Sequence, residues 1–142
     1  MNDIINRLKA PFPPEAVHWR IGARTQDRSS GIALAYIDAR DVMKRLDDVC
    51  GVYWQDRYPF EGCCEIGIKI DNEWLWRANG SGETDIEGEK GRYSGAFKRA
   101  AVNWGIGRYL YYLPNMWVPL KNQGKQLANL PELPKWAIPK QD

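Results

Sequence analysis

Residues 93–117 read YSGAFKRAAVNWGIGRYLYYLPNMW, and this stretch decides how the rest of the chain is arranged. Phe97, Ala100, Ala101, Trp104 and Arg108 fall near one helical face. That spacing predicts the longest helix of the chain, from Tyr93 to about Tyr112, with Pro114 stopping it. The small residues at 95, 96, 100, 101, 105 and 107 would let another backbone come close. On this reading Gly105 and Gly107 lie inside the helix and serve close packing. Trp104 and the cluster from Tyr109 to Tyr112 read equally as core or as a surface between subunits.

Upstream of the helix the period changes. Ile66, Ile68 and Ile70 alternate with Glu65, Gly67 and Lys69, the pattern of a half-buried antiparallel strand. Residues 52–58 and 74–79 read as its neighbours, with Asp71-Asn72 as a tight turn. A flexible acidic loop, Gly80 to Gly88, leads into the long helix. Nearer the start, 16–24 reads as the first strand and 32–37 as a mostly apolar one; the polar turn between them suggests a hairpin. Asp38 is a credible N-cap for a helix through Val49, and Gly51 is a plausible stop. Ile4, Ile5 and Leu8 predict a short amphipathic helix, ended by Pro11, Pro13 and Pro14. The expected architecture is α+β: an antiparallel sheet, made of a hairpin plus a three-strand meander, packed with helices. We read 1–142 as a single domain, with an N-terminal helix and proline linker over 1–14. Residues 114–142 form an extended tail.

Composition narrows the function. There are 20 basic and 18 acidic residues, a net charge of +2, so only local clustering of cations can argue for a polyanionic partner. Met1 to Lys9 has no long apolar core, and no apolar run approaches the roughly 18 residues of a membrane span. Cys50, Cys63 and Cys64 are odd in number, and two are adjacent. A soluble, cytoplasmic protein with reduced thiols is expected. No C-x2-C pair accompanies the single histidine, so no metal site is expected. One of Cys63 and Cys64 reads as a buried, inert thiol. Gly80-Ser81-Gly82 and Gly105-Ile106-Gly107 lack the G-x-x-x-x-G-K-S/T form, so no ATP or other cofactor is expected. The acidic clusters, Asp47-Asp48 and Asp85, Glu87 and Glu89, read as solvated. No enzyme activity is expected.

The cations carry the sharper signal. Between Lys90 and Tyr112 lie Lys90, Arg92, Lys98, Arg99 and Arg108, with no acid among them. Arg20, Arg24 and Arg28 mark the first hairpin, which also carries Trp19 and Tyr36. In a regular strand Arg20 and Arg24 share a face. Lys98 and Arg99 stand about 100° apart around a helix and can line two edges of one groove. A row of cations interleaved with aromatic rings suits single-stranded nucleic acid.

The stretch from Phe97 to Trp117 closely resembles the signature helix of the Rad fifty-two superfamily of single-strand annealing proteins. Its bacterial DNA-damage-response branch (DdrA) and phage annealing proteins of the Sak type look most similar. Leu8-Lys-Ala-Pro-Phe-Pro13, Val17-His-Trp-Arg20, Tyr36-Ile-Asp-Ala-Arg40, Arg45-Leu-Asp-Asp-Val-Cys50 and Leu130-Pro-Glu-Leu-Pro-Lys-Trp136 extend the likeness over nearly the whole chain. The resemblance implies an α+β domain that assembles into a ring or a helical form. Single-stranded DNA would run in a basic groove outside it, and complementary strands would anneal without ATP in recombination and repair. Protection of single-stranded 3′ ends is the alternative role.

By the same resemblance Arg20 matches a basic residue closing the first strand's motif, and Tyr36 an aromatic of the second strand. Lys98 and Arg99 match the paired cations of the long helix. Lys90 and Arg92 are candidates for an outer edge or second DNA path, and Arg24 and Arg28 for support. Val102 stands where eukaryotic members carry a further cation. Implied partners are single-stranded DNA, further copies of the chain and a single-strand binding protein, in a bacterial or phage-infected cell. The eukaryotic recombinase-binding region lies outside the likeness, so recombinase loading is not implied.

Overall fold

A computed structural model describes residues 2–80 and 88–140, with side chains over 3–80 and 93–140. The expected acidic loop at 80–88 lies almost wholly outside the described residues. The elements run α1 (Asn2–Lys9), β1 (His18–Arg24), β2 (Ser30–Tyr36), α2 (Ala39–Cys50), β3 (Trp54–Arg57), β4 (Cys63–Ile70), β5 (Glu73–Gly80), α3 (Gly88–Asn103), β6 (Met116–Lys121) and β7 (Gln126–Leu127). This is the expected α+β class. Two antiparallel sheets form, ordered β1-β2-β6-β7 and β3-β4-β5. The chain divides into two compact units. One joins Met1–Ala10 to Asp38–Arg108, and the other joins Pro11–Ile37 to Tyr109–Asp142.

In the first unit the alternation of β4 does what the sequence predicts. Cys64, Ile66, Ile68 and Ile70 are buried; α3 lies against them with Ala96, Phe97, Ala100 and Ala101, and Trp104 follows just past the helix end. Trp104 is 1% exposed, and its indole Nε1–H donates to the Ile66 carbonyl at 2.9 Å. Within the chain it is therefore a core residue. Asp38 stands at the N-cap of α2, and its carbonyl accepts from the amides of Asp41 and Val42. Gly51 ends α2 with φ of +59°. Arg45 ties the end of α1 down, donating to the carbonyls of Leu8 and Ala10 at 3.0 and 2.7 Å.

The long helix differs from its expected span. It begins at Gly88 and ends at Asn103, not near Tyr112. Gly105 and Gly107 adopt φ of +97° and +76°, in the left-handed region that breaks a helix and that glycine enters without a Cβ clash. The two glycines therefore terminate the helix instead of packing inside it. Residues Arg108–Tyr112 continue as a separate 3-10 turn.

In the second unit β2 is central. It pairs with β1 and with β6, which is drawn from the region read as tail. The Tyr109 hydroxyl accepts from the Phe12 amide at 2.9 Å, and both residues are buried. Tyr111 and Tyr112 are each 70% exposed. The aromatic cluster thus splits between core and surface. Among the described residues no helix is long and apolar enough to cross a membrane.

Candidate nucleic-acid interface

In the second unit, strand register sorts the hairpin's side chains. His18 pairs with Tyr36 and Arg20 with Leu34, while Ile32 pairs with Trp117 of β6. Directly opposed residues point to the same face, and residues two apart along β2 share it. One face therefore carries His18, Arg20, Ile32, Leu34, Tyr36 and Trp117. This is the open face: Arg20 and Trp117 are exposed, and the β2 residues are half-buried. The opposite face holds the buried Gly31 and Ala33. Tyr36 and His18 rings lie 5.5 Å apart, tilted by 36°.

Arg24 departs from the regular-strand expectation. A register shift between Ile21 and Arg24 sets Arg24 opposite Gly31. That puts it on the face of Ile21 and Ala33, away from Arg20, because one extra residue reverses the alternation. Its Nε–H donates to the Gly124 carbonyl at 2.8 Å, which ties it to the turn after β6.

Arg28 is exposed at the tip of the hairpin turn, with φ of +62°. Asp27 shapes that turn. Its Oδ1 accepts from the Ser29 amide at 3.0 Å and from the Ser29 and Thr25 hydroxyls, each at 2.8 Å. The Ser29 hydroxyl and amide, with the Thr25 hydroxyl, hold the Asp27 carboxyl below its ordinary value.

In the first unit Lys98 and Arg99 flank the buried stripe of α3. Lys98 is half-buried and Arg99 is exposed. Arg99 donates to the Gly80 carbonyl at 3.1 Å, which holds it near the end of β5. Lys90 and Arg92 sit in the opening turns of α3, and their side chains lie outside the described residues. Val102 carries no charge, but two arginines converge on the carbonyls beside it. Arg108 donates to the carbonyls of Val102 and Asn103 at 3.0 and 2.9 Å, and Arg77 donates to Asn103 at 2.6 Å. Cations at a helix C-terminus satisfy its orphan carbonyls and its dipole, so these two guanidiniums serve the fold.

Trp117 is the residue that sequence reasoning missed. It was assigned to an extended tail, and only pairing of β6 with β2 brings it onto the face of Arg20 and Tyr36. The signal that could have found it is the alternation of Met116, Val118 and Leu120 around it.

The chain matches the Rad52/22 family of double-strand break repair proteins over residues 1–59 and 61–129. It is 40% identical over 147 aligned positions to the single-stranded DNA-binding protein DdrA of Deinococcus deserti, an alignment covering 98% of this chain and 72% of that protein. Against the single-stranded DNA-binding protein DdrA of Deinococcus radiodurans the identity is 35%, over 98% of this chain and 69% of the relative. No solved structure matches the chain significantly.

Proposed function

The chain belongs to the Rad52/22 family of double-strand break repair proteins, and from that membership we propose that it binds single-stranded DNA and anneals complementary strands without nucleotide hydrolysis. The observation that carries this reading is the open face of β1, β2 and β6, where exposed Arg20 stands among Tyr36 and Trp117. A cation beside aromatic rings suits a flexible polyanion whose bases offer flat faces.

Arg20, Lys98 and Arg99 grip phosphates, with Arg28 helping from its exposed turn. Arg24 assists chiefly by holding the turn at Gly124, and Lys90 and Arg92 add further phosphate contacts. Phosphate contacts hold a strand extended without reading its sequence. Bases left exposed can then sample register with a complementary strand. Pairing itself supplies the free energy, so the reaction needs neither ATP nor a catalytic residue. A ring of copies would repeat a weak site around one strand, and linked sites bind far more tightly than one alone. The protein would act on DNA in the cytoplasm of a bacterial or phage-infected cell, beside a single-strand binding protein.

One observation favours a second reading. The names of both Deinococcus relatives speak of binding alone, which fits protection of 3′ ends with little annealing. Two complementary oligonucleotides mixed with the protein, without ATP, separate the two. Duplex formation that accelerates at low salt and fades as salt rises supports annealing. Tight binding without acceleration supports end protection, and no binding at any salt refutes both.

Replacing Lys98 and Arg99 together by Ala should weaken binding alike for all sequences. For single strands each lost phosphate contact flattens the log–log salt slope by roughly 0.7, so the pair should remove about 1.4. An unchanged slope in a folded double mutant would take both residues out of the DNA contact.

A further inference from the structure

The sheet β3-β4-β5 has two unlike faces. Helix α3 covers one. On the other, register aligns Arg57 with Glu65, Gly67 with Trp76, and Lys69 with Trp74. Trp74 is 38% exposed and Tyr53 is 54% exposed. Within the first unit this face has no element packed over it among the described residues.

Its side chains are fixed in a layered arrangement. The Trp76 indole lies flat on Gly67, so close that a Cβ at that position would sit 2.8 Å from the ring. The Arg57 guanidinium lies 3.6 Å from the Trp76 ring centroid. Arg57 Nε donates to Glu65 Oε1 at 2.7 Å, which locks the guanidinium plane in place. Trp74 stacks beside Trp76 with centroids 6.2 Å apart and planes 29° from parallel. At the other edge the Lys69 ammonium lies 5.7 Å from the Tyr53 centroid.

We infer that this sheet face is a base-stacking surface for single-stranded DNA, with Trp74, Tyr53 and the outer plane of Arg57 receiving bases and Lys69 receiving phosphate. Aromatic rings and guanidinium planes both stack bases without regard to sequence. Two residues along a strand span about 6.8 Å, a spacing that suits bases of a stretched single strand. The charge balance points the same way. Among the described residues the face has two cations and one carboxylate, and that carboxylate is engaged with Arg57 Nε. Preorganisation helps, since the guanidinium needs no ordering when a base arrives.

The inference rests on the proposed single-stranded DNA binding, yet it concerns a different contact: bases on a sheet, not phosphates on α3 and the hairpin. An oligothymidylate and an abasic strand of equal length and charge distinguish the two. The full chain is compared with Trp74→Ala, with Arg57→Lys, which keeps the charge but loses the plane, and with the Lys98→Ala/Arg99→Ala double variant. Trp74→Ala should bind oligothymidylate roughly 5- to 150-fold more weakly, the range for one lost base stack. Arg57→Lys should weaken it in the same direction. Both should bind the abasic strand as the parent does. The double variant should lose affinity for both strands.

Parent-like oligothymidylate binding by folded Trp74→Ala and Arg57→Lys would overturn the assignment, as would equal losses on the two strands. A sedimentation change with unaltered DNA binding would also overturn it, making the face a contact between copies of the chain. If the double variant binds like the parent while Trp74→Ala does not, the phosphate contacts fail and the stacking surface stands. A parent chain that binds neither strand refutes both.

Discussion

The Trp104 indole joins the turn that follows α3 to the sheet by one hydrogen bond in a buried site. Its Nε1–H meets the Ile66 carbonyl, and the Arg77 guanidinium lies 4.3 Å from its ring centroid. Trp104→Phe keeps most of the apolar shape but removes this one hydrogen bond; the Ile66 carbonyl keeps its ladder partner on β5, with which it stands in register. One such hydrogen bond contributes about 0.5–1.5 kcal/mol, so denaturant unfolding should report a loss of that size, with DNA contacts intact at equal folded fraction. A parent-like midpoint would mean that the indole N–H contributes nothing net to stability. Cys64 behaves differently. Burial, above all, pushes its thiol up to about 12, so near neutral pH it stays a thiol and not the reactive thiolate. Cys64 should resist alkylation in the native state and react once the chain is unfolded; rapid native labelling traced to Cys64 by mass spectrometry would contradict its burial. At this scale the sequence reveals residue type but not employment. Five cations clustered around α3 look equivalent in the sequence. The fold spends Arg108 on the helix end, joined there by Arg77 from β5, and leaves Arg99 exposed. That allocation depends on where Gly105 turns the chain.

Helix α3 shows why elements are more legible than their ends. The apolar period of Phe97, Ala100, Ala101 and Trp104 is real and places the helix on the sheet. It also continues numerically to Arg108, and period alone cannot tell a packing glycine from a terminating one. The deciding fact is backbone conformation. Gly105 holds φ of +97°, and an added Cβ would lie 2.6 Å from Lys9 Cγ. Lys9 is long and exposed and can swing aside, so the strain that persists is the dihedral. Gly105→Ala should destabilise the fold by about 1–3 kcal/mol, visible as a lower Tm. A higher Tm would show that this residue takes helical geometry after all. Strands follow the same logic. The alternation in β4 was readable because one face is apolar and buried while the other carries the half-buried charges of Glu65 and Lys69. The placement of β6 was not: its alternation runs unbroken through Met116, Val118 and Leu120, but period does not name a partner, and pairing with β2 is a long-range choice. With β6 went Trp117, the aromatic beside Arg20. The bulge before Arg24 was equally hidden, since an even spacing puts two residues on one face only in an unbroken strand.

At the scale of the molecule, a net charge of +2 sets a condition on tight binding. One chain presents few cations to a strand, and some of them hold the fold. Phosphate grip from so few contacts is weak and falls quickly as salt rises. If copies of the chain repeat the site along one strand, the second and later contacts become intramolecular, and affinity climbs steeply with strand length. If the chain acts alone, affinity levels off once the strand covers one site. Oligothymidylates from about 10 to about 80 nucleotides span both regimes, because single sites on such surfaces cover roughly 4–16 nucleotides. The assembled form should show Kd falling by orders of magnitude across that series, with sedimentation giving a mass of many chains. A 16.3 kDa species whose Kd is flat beyond the shortest strands would remove the repeated-site mechanism. In that case annealing, if it occurs, would have to run on a single open sheet face, and the Trp74–Trp76 surface would need to supply affinity that the phosphate contacts lack.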